Sequence, residues 1–121
     1  MSSAEHDRRI DYIEFSVISV PEAKRFYGEA FGWSFEDYGP EYASFADGRL
    51  SGGFQTASGV VSGGPLVVIY ALDLEAQERR VKQAGGAIVR AIFSFPGGRR
   101  FHFTDPSGNE LAVWSDTQAE R

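Results

Sequence analysis

Cysteine is absent, methionine occurs once and histidine only twice in these 121 residues. Without thiols the chain has no disulfide framework, no thiolate zinc site, no iron–sulfur cluster and no cysteine nucleophile. Positive charge is scarce and dispersed: 12 Lys and Arg stand against 17 Asp and Glu, a formal net charge of −5. No basic run exceeds a pair such as Arg79-Arg80 or Arg99-Arg100, too little for a phosphate-backbone footprint, so nucleic acid is not an expected partner. Long apolar runs are missing as well. None approaches the roughly 18 residues that mark a membrane-spanning helix, and the start, MSSAEHDRR, carries no apolar signal segment. The expectation is a cytoplasmic protein with no membrane partner. Also missing are a G-x-S-x-G elbow, a phosphate-binding Walker loop and a dinucleotide fingerprint.

Aromatic residues, by contrast, make up 14% of the chain, with ten Phe, five Tyr and two Trp. A chain of this length forms one domain and can bury roughly 65–70% of its unfolded surface without staples. Residues 1–9 read as a disordered tail and 116–121 as a C-terminal tail. Ile10 to Val17 alternates apolar and polar residues, the pattern of a half-buried strand. Ser19-Val20-Pro21-Glu22 then opens a helix whose apolar residues, Ala23, Phe26, Tyr27, Ala30 and Phe31, share one face, and Gly32 closes it. Short strands follow at 33–38, 41–46 and 50–57. After a Gly/Ser-rich linker, Gly59 to Gly64, the order restarts: a strand at 66–71, a helix at 74–84 capped by Asp73 and closed by Gly85-Gly86, then strands at 87–93, 99–104 and 110–115. The turns between them are Pro96-Gly97-Gly98 and Asp105-Pro106-Ser107-Gly108-Asn109. Two passes of βαβββ, each too small for a good core of its own, imply that the halves pair.

Five segments carry a family resemblance: YIEFSV (12–17), AKRFYGEAFGW (23–33), SGG (51–53), KQAGG (82–86) and DPSGNELAVW (105–114). Through them the chain resembles the glyoxalase / bleomycin-resistance / dioxygenase superfamily, the vicinal oxygen chelate fold. The resemblance implies an α+β fold: two βαβββ modules in tandem, 10–58 and 65–115, curled sheets around a cleft, and helices on the convex faces. Strand parity then divides the side chains. Ile13, Phe15, Val17, Val67, Ile69, Phe101, Phe103, Leu111 and Val113 pack inward. Tyr12, Glu14, Ser16, Leu66, Val68, Tyr70, Arg100, His102, Thr104, Glu110, Ala112 and Trp114 face the cleft. By the internal repeat, Tyr42 and Ser44 correspond to Arg100 and His102.

Metal-dependent members of the family hold their cation with His, Gln or Glu, one ligand on the first strand and one on the last strand of each module. Here those positions fall on Tyr12, on Gly52 or Gly53, on Leu66 and on Ala112, so no bound metal and no other cofactor is expected. That argues against metal-dependent dioxygenation and, beside a structural partner domain whose dimer interface is its function, leaves two readings for the cleft. One is a protein that binds a small molecule in the cleft, using Ser16, Tyr42, Ser44, Leu66, Tyr70, Arg100, Ala112 and Trp114. The other is a lyase or isomerase, with or without a metal, with Glu14 as base and Tyr12 or His102 assisting. Glu14 has a plainer reading, a carboxylate paired with Arg100 among Tyr12, Leu66, Tyr70 and Trp114. Trp33 reads as core, Gly52-Gly53 as a bulge or turn, and the 105–108 segment as a structural turn. Open sheet edges and aromatic walls also lead to the expectation of a homodimer.

Overall fold

The computed structural model describes residues 7, 8, 10–59 and 64–117; most of both tails and the centre of the linker lie outside the described residues. The first module consists of β1 (Tyr12–Val17), α1 (Val20–Phe31), β2 (Ser34–Asp37), β3 (Tyr42–Ala46) and β4 (Ser51–Thr56). The second consists of β5 (Val67–Tyr70), α2 (Leu74–Ala84), β6 (Ala87–Phe95), β7 (Gly98–Thr104) and β8 (Glu110–Ser115).

Local chemistry sets the helix ends. Ser19 accepts a hydrogen bond from the Glu22 N–H at 3.2 Å, and Pro21 occupies the first turn of α1, where its missing N–H costs nothing. Gly32, at φ 75°, turns the chain out in the left-handed conformation. Asp73 caps α2 by accepting from the Ala76 N–H at 3.0 Å.

Each module forms a four-stranded sheet with the same strand order, β1-β4-β3-β2 and β5-β8-β7-β6. In each the first strand runs parallel to the last and the other pairs are antiparallel. Alternation along β1 is as the sequence implies: Phe15 and Val17 are buried, while Tyr12, Glu14 and Ser16 are exposed. The same parity buries Phe101, Phe103, Leu111 and Val113 in the second sheet.

The modules meet through these apolar faces. α1 packs on α2, and the rings of Phe26 and Phe31 lie 6.0 and 5.8 Å from that of Phe103. Gln77 donates to the Ala30 carbonyl at 2.7 Å, satisfying a buried amide across the helix pair. One contiguous core therefore contains Phe15, Phe45 and Phe54 from one sheet and Phe101, Phe103 and Leu111 from the other. The 105–109 turn completes the joint. Buried Asp105 accepts from Tyr27 Oη at 2.9 Å, from the backbone N–H of Ser107 and Asn109, and from Asn109 Nδ2. Ser107 Oγ accepts from the Ile18 N–H, and Asn109 Nδ2 donates to the Ser16 carbonyl, both at 2.8 Å.

Most strand boundaries differ from the sequence expectation by a residue or two, and two of them bear on the second sheet. β5 begins at Val67, and β6 runs on to Phe95, leaving only Pro96-Gly97 to turn the chain into β7. The second change has a cause: the β6–β7 register slips between Ile88 and Arg90 and again between Arg90 and Phe93. These bulges put extra residues into β6, lengthening and bending it.

Candidate functional site

Both sheets turn their apolar faces to one core, so the expected cleft residues lie on the outer face of one sheet or the other. The ion pairs among the described residues do not include one between Glu14 and Arg100; parity gives the face of each sheet, and the packing of the two modules decides what that face meets.

On the first sheet the outer face carries Tyr12, Glu14 and Ser16 from β1, Tyr42 and Ser44 from β3, and Ser51 and Gly53 from β4. It curves into an open concavity of about 550 Å³, lined by Tyr12, Ser34, Glu36, Tyr38, Ser44 and Ser51 among others. The hydroxyls of Tyr12 and Tyr42 are hydrogen-bonded at 2.6 Å. Both lie over Gly53, where an added Cβ would run into the Tyr42 hydroxyl and come within 2.6 Å of that of Tyr12. Gly52 points the other way, against the Phe45 ring and the Ile13 carbonyl. Of the two glycines left open by the sequence, Gly53 is therefore the one on the outer face, opposite Glu14 in register as Ala112 is opposite Val68. Burial, the Tyr12 hydroxyl and the nearby Glu14 carboxylate hold the Tyr42 phenol protonated well above the usual phenol range.

On the second sheet the outer face carries Leu66, Val68 and Tyr70, then Glu110, Ala112 and Trp114, then Arg100, His102 and Thr104. His102 is 8% exposed, and its Nδ1 lies 2.9 Å from Glu110 Oε2. An ionised carboxylate only accepts, so the hydrogen belongs to Nδ1. Tyr70 donates to Asp116 at 2.8 Å, which raises its pKa, and its ring meets that of Trp114 edge-on at 5.4 Å. The β6 bulges bring Arg90, Phe93 and Phe95 over this face. Arg90 Cζ is 3.7 Å from the Phe93 centroid, and Phe93 lies 5.9 Å from the His102 ring.

Sequence reasoning did not single out Ser34, Glu36, Ser51, Arg90, Phe93 or Phe95. For the first three the signal was available, since Ser51 pairs with Tyr12 and Glu36 with Ser44. For the others it was not, because simple alternation puts Arg90 and Phe93 on opposite faces and only a bulge unites them. Trp33, read as core, stacks at 4.6 Å on Tyr27 and 4.5 Å on Phe45. Of the four family ligand positions, Tyr12 alone has a polar side-chain atom; the described residues contain no group of three or more His, Cys, Asp or Glu placed to hold a metal.

The fold has many solved counterparts. A glyoxalase-related enzyme from Fulvimarina pelagi matches with a TM-score of 0.77 at 20% identity, over 89% of this chain and 88% of that one. Lactoylglutathione lyase from Agrobacterium tumefaciens gives 0.71 at 17% identity, over 89% and 93%. A fosfomycin resistance protein from Listeria monocytogenes, solved with manganese and a dihydroxypropylphosphonic acid, gives 0.77 at 13% identity, over 88% of each. At these identities the likeness shows the fold alone. No curated protein sequence matches the chain. The family model for the glyoxalase/bleomycin resistance protein/dioxygenase superfamily matches residues 9–113. The chain belongs to that superfamily.

Proposed function

We propose that this member of the superfamily binds a small molecule against the outer faces of its sheets, and that a second copy of the chain closes those faces into clefts. One observation carries the reading. Among the described residues, seven of the ten large hydrophobic side chains left exposed lie on β1, on β5 or beside them: Ile10, Tyr12, Ile18, Leu66, Val68, Tyr70 and Leu72. Both are edge strands, and an apolar open edge is a surface that needs a partner. Charge supports the same pairing, with Glu14 and Glu36 on one outer face and Arg90 and Arg100 on the other. A two-fold axis would set each face against its complement twice.

The donor set at the family ligand positions does not fit a divalent cation, which requires several N or O ligands at about 2.0–2.6 Å. Tyr12 and Tyr42 fill the space over Gly53, where a longer side chain would reach outward. On this reading the phenol pair stands in place of the metal and offers a hydroxyl to a ligand oxygen. A lyase or isomerase reading draws on the same face, because Glu14 is exposed beside the protonated Tyr42. In that case Glu14 accepts the proton and the phenols hold the oxygen.

Thermal unfolding in the presence of a panel of small polar and aromatic molecules tests the proposal. One class is expected to raise the melting temperature with dose by several degrees, and Tyr12→Phe or Trp114→Ala should reduce the effect. Zinc, nickel and manganese are expected to leave it unchanged. A panel without response, together with a metal-induced rise abolished by Glu14→Ala, would overturn the proposal.

A further inference from the structure

The second sheet holds a cluster that neither the core nor the proposed phenol site uses. Arg90 and Arg100 share one ring, with Cζ atoms 3.7 and 5.4 Å from the centroid of Phe93, and Arg100 also lies 5.8 Å from that of Phe95. Like charges brought to one ring repel, and the ring attraction offsets this only in part. A counter-ion would be expected nearby. Yet the ion pairs among the described residues engage Arg8, Lys24, Arg25, Arg99 and His102, and neither Arg90 nor Arg100. In addition, Arg100 Nε is buried with no hydrogen-bond partner. Buried donors are normally satisfied, so an unpaired one beside an unbalanced positive charge marks a missing acceptor.

We infer that the outer face of the second sheet binds a carboxylate carried on an aromatic or hydrocarbon body. Arg90 and Arg100 hold the anion, and Phe95 and Trp114 pack against the body. A guanidinium fork matches the two oxygens of a carboxylate, and one of those oxygens supplies the acceptor that Arg100 Nε lacks. Two features favour a monoanion with an apolar body over phosphate. Glu110, bonded to His102 on the same face, repels a second negative charge. The flank beyond Arg100 is aromatic, with Phe95 6.4 Å from Trp114, the residue paired with Arg100 in the sheet. The β6 bulges are what make the cluster, since they set Arg90 and Phe93 on one face.

The inference deepens the ligand-wall reading of this face, but all of its residues come from one chain. The arginine Nε–H signals in ¹⁵N-edited NMR spectra, followed during titration, test it with benzoate as probe and acetate, benzamide and inorganic phosphate as comparisons. Benzoate is expected to shift the Arg90 and Arg100 signals saturably. Acetate should bind more weakly, benzamide not at all and phosphate more weakly than benzoate. Arg90→Gln and Arg100→Gln should each weaken benzoate roughly tenfold, while Arg100→Lys retains part of the affinity. Shifts that never saturate, a benzamide response equal to that of benzoate, tighter binding of phosphate, or benzoate affinity unchanged in the Arg90→Gln/Arg100→Gln pair would overturn the inference. A monomer that binds benzoate here upholds the site and ends the proposal of shared clefts; a dimer that ignores benzoate does the reverse.

Discussion

Two tyrosines illustrate how one residue type does different work. Tyr27 is fully buried, and its hydroxyl donates to Asp105 across the joint between modules. Burial, and then the Asp105 charge, hold this phenol protonated far above its usual range. Asp105 keeps three other donors, so Tyr27→Phe removes one bond without stranding the carboxylate. The expected loss is about 1–2 kcal/mol of stability, read as a lower urea midpoint at unchanged slope. Tyr12 and Tyr42 stand on the open face, and their pairing depends on a glycine. Tyr12→Phe removes the partner that helps keep Tyr42 protonated. Ultraviolet titration of the variant should show Tyr42 ionising at lower pH than in the parent. Gly53→Ala should do the same by forcing the Tyr42 hydroxyl aside. An unchanged titration in both variants would mean that the hydroxyls are not paired.

Among the elements, α2 is tied to β7 by a two-point ion pair. Arg99 donates to the two carboxylate oxygens of Glu75, in the first turn of the helix, at 2.6 and 3.3 Å. The Arg99 hydrogen bond is the main reason that the Glu75 pKa is lowered. A lowered folded-state value means that the contribution is present above the unfolded carboxylate pKa, about 4.3. It is lost as pH falls through the lower folded value. Glu75 is 40% exposed, so screening limits the contribution to about 1 kcal/mol or less. Arg99→Gln should therefore be less stable than the parent at pH 7, and the gap in urea midpoints should narrow below about pH 4. A gap that stays constant into acid would show that the loss is one of packing alone.

The elements also show what the sequence discloses. Caps are local chemistry, so Ser19, Gly32 and Asp73 mark both helices within a residue or two of their observed ends. Strand parity is local too, and it sorts Phe15 from Glu14 and Phe101 from Arg100. The β6 bulges are not legible, because residues 88–93, Ile-Val-Arg-Ala-Ile-Phe, contain no glycine or proline to announce them. Parity also says which face of its own sheet a residue occupies, but not what that face looks toward. Placing Glu14 beside Arg100 required knowing how two modules sit together, and the helix-to-helix joint decides that through contacts distant in sequence, such as Gln77 with Ala30.

At the scale of the whole molecule, the arrangement leaves its chemistry on the outside. Aromatic and aliphatic side chains that would ordinarily be covered, among them Tyr12 at 44% and Tyr70 at 48% exposure, line two edge strands. In the proposed dimer a second copy covers them and in doing so builds the clefts. Sedimentation equilibrium across a range of micromolar concentrations tests this most directly. A single species of twice the 13.3 kDa chain mass is expected; a species of 13.3 kDa at every loading concentration would rule the dimer out.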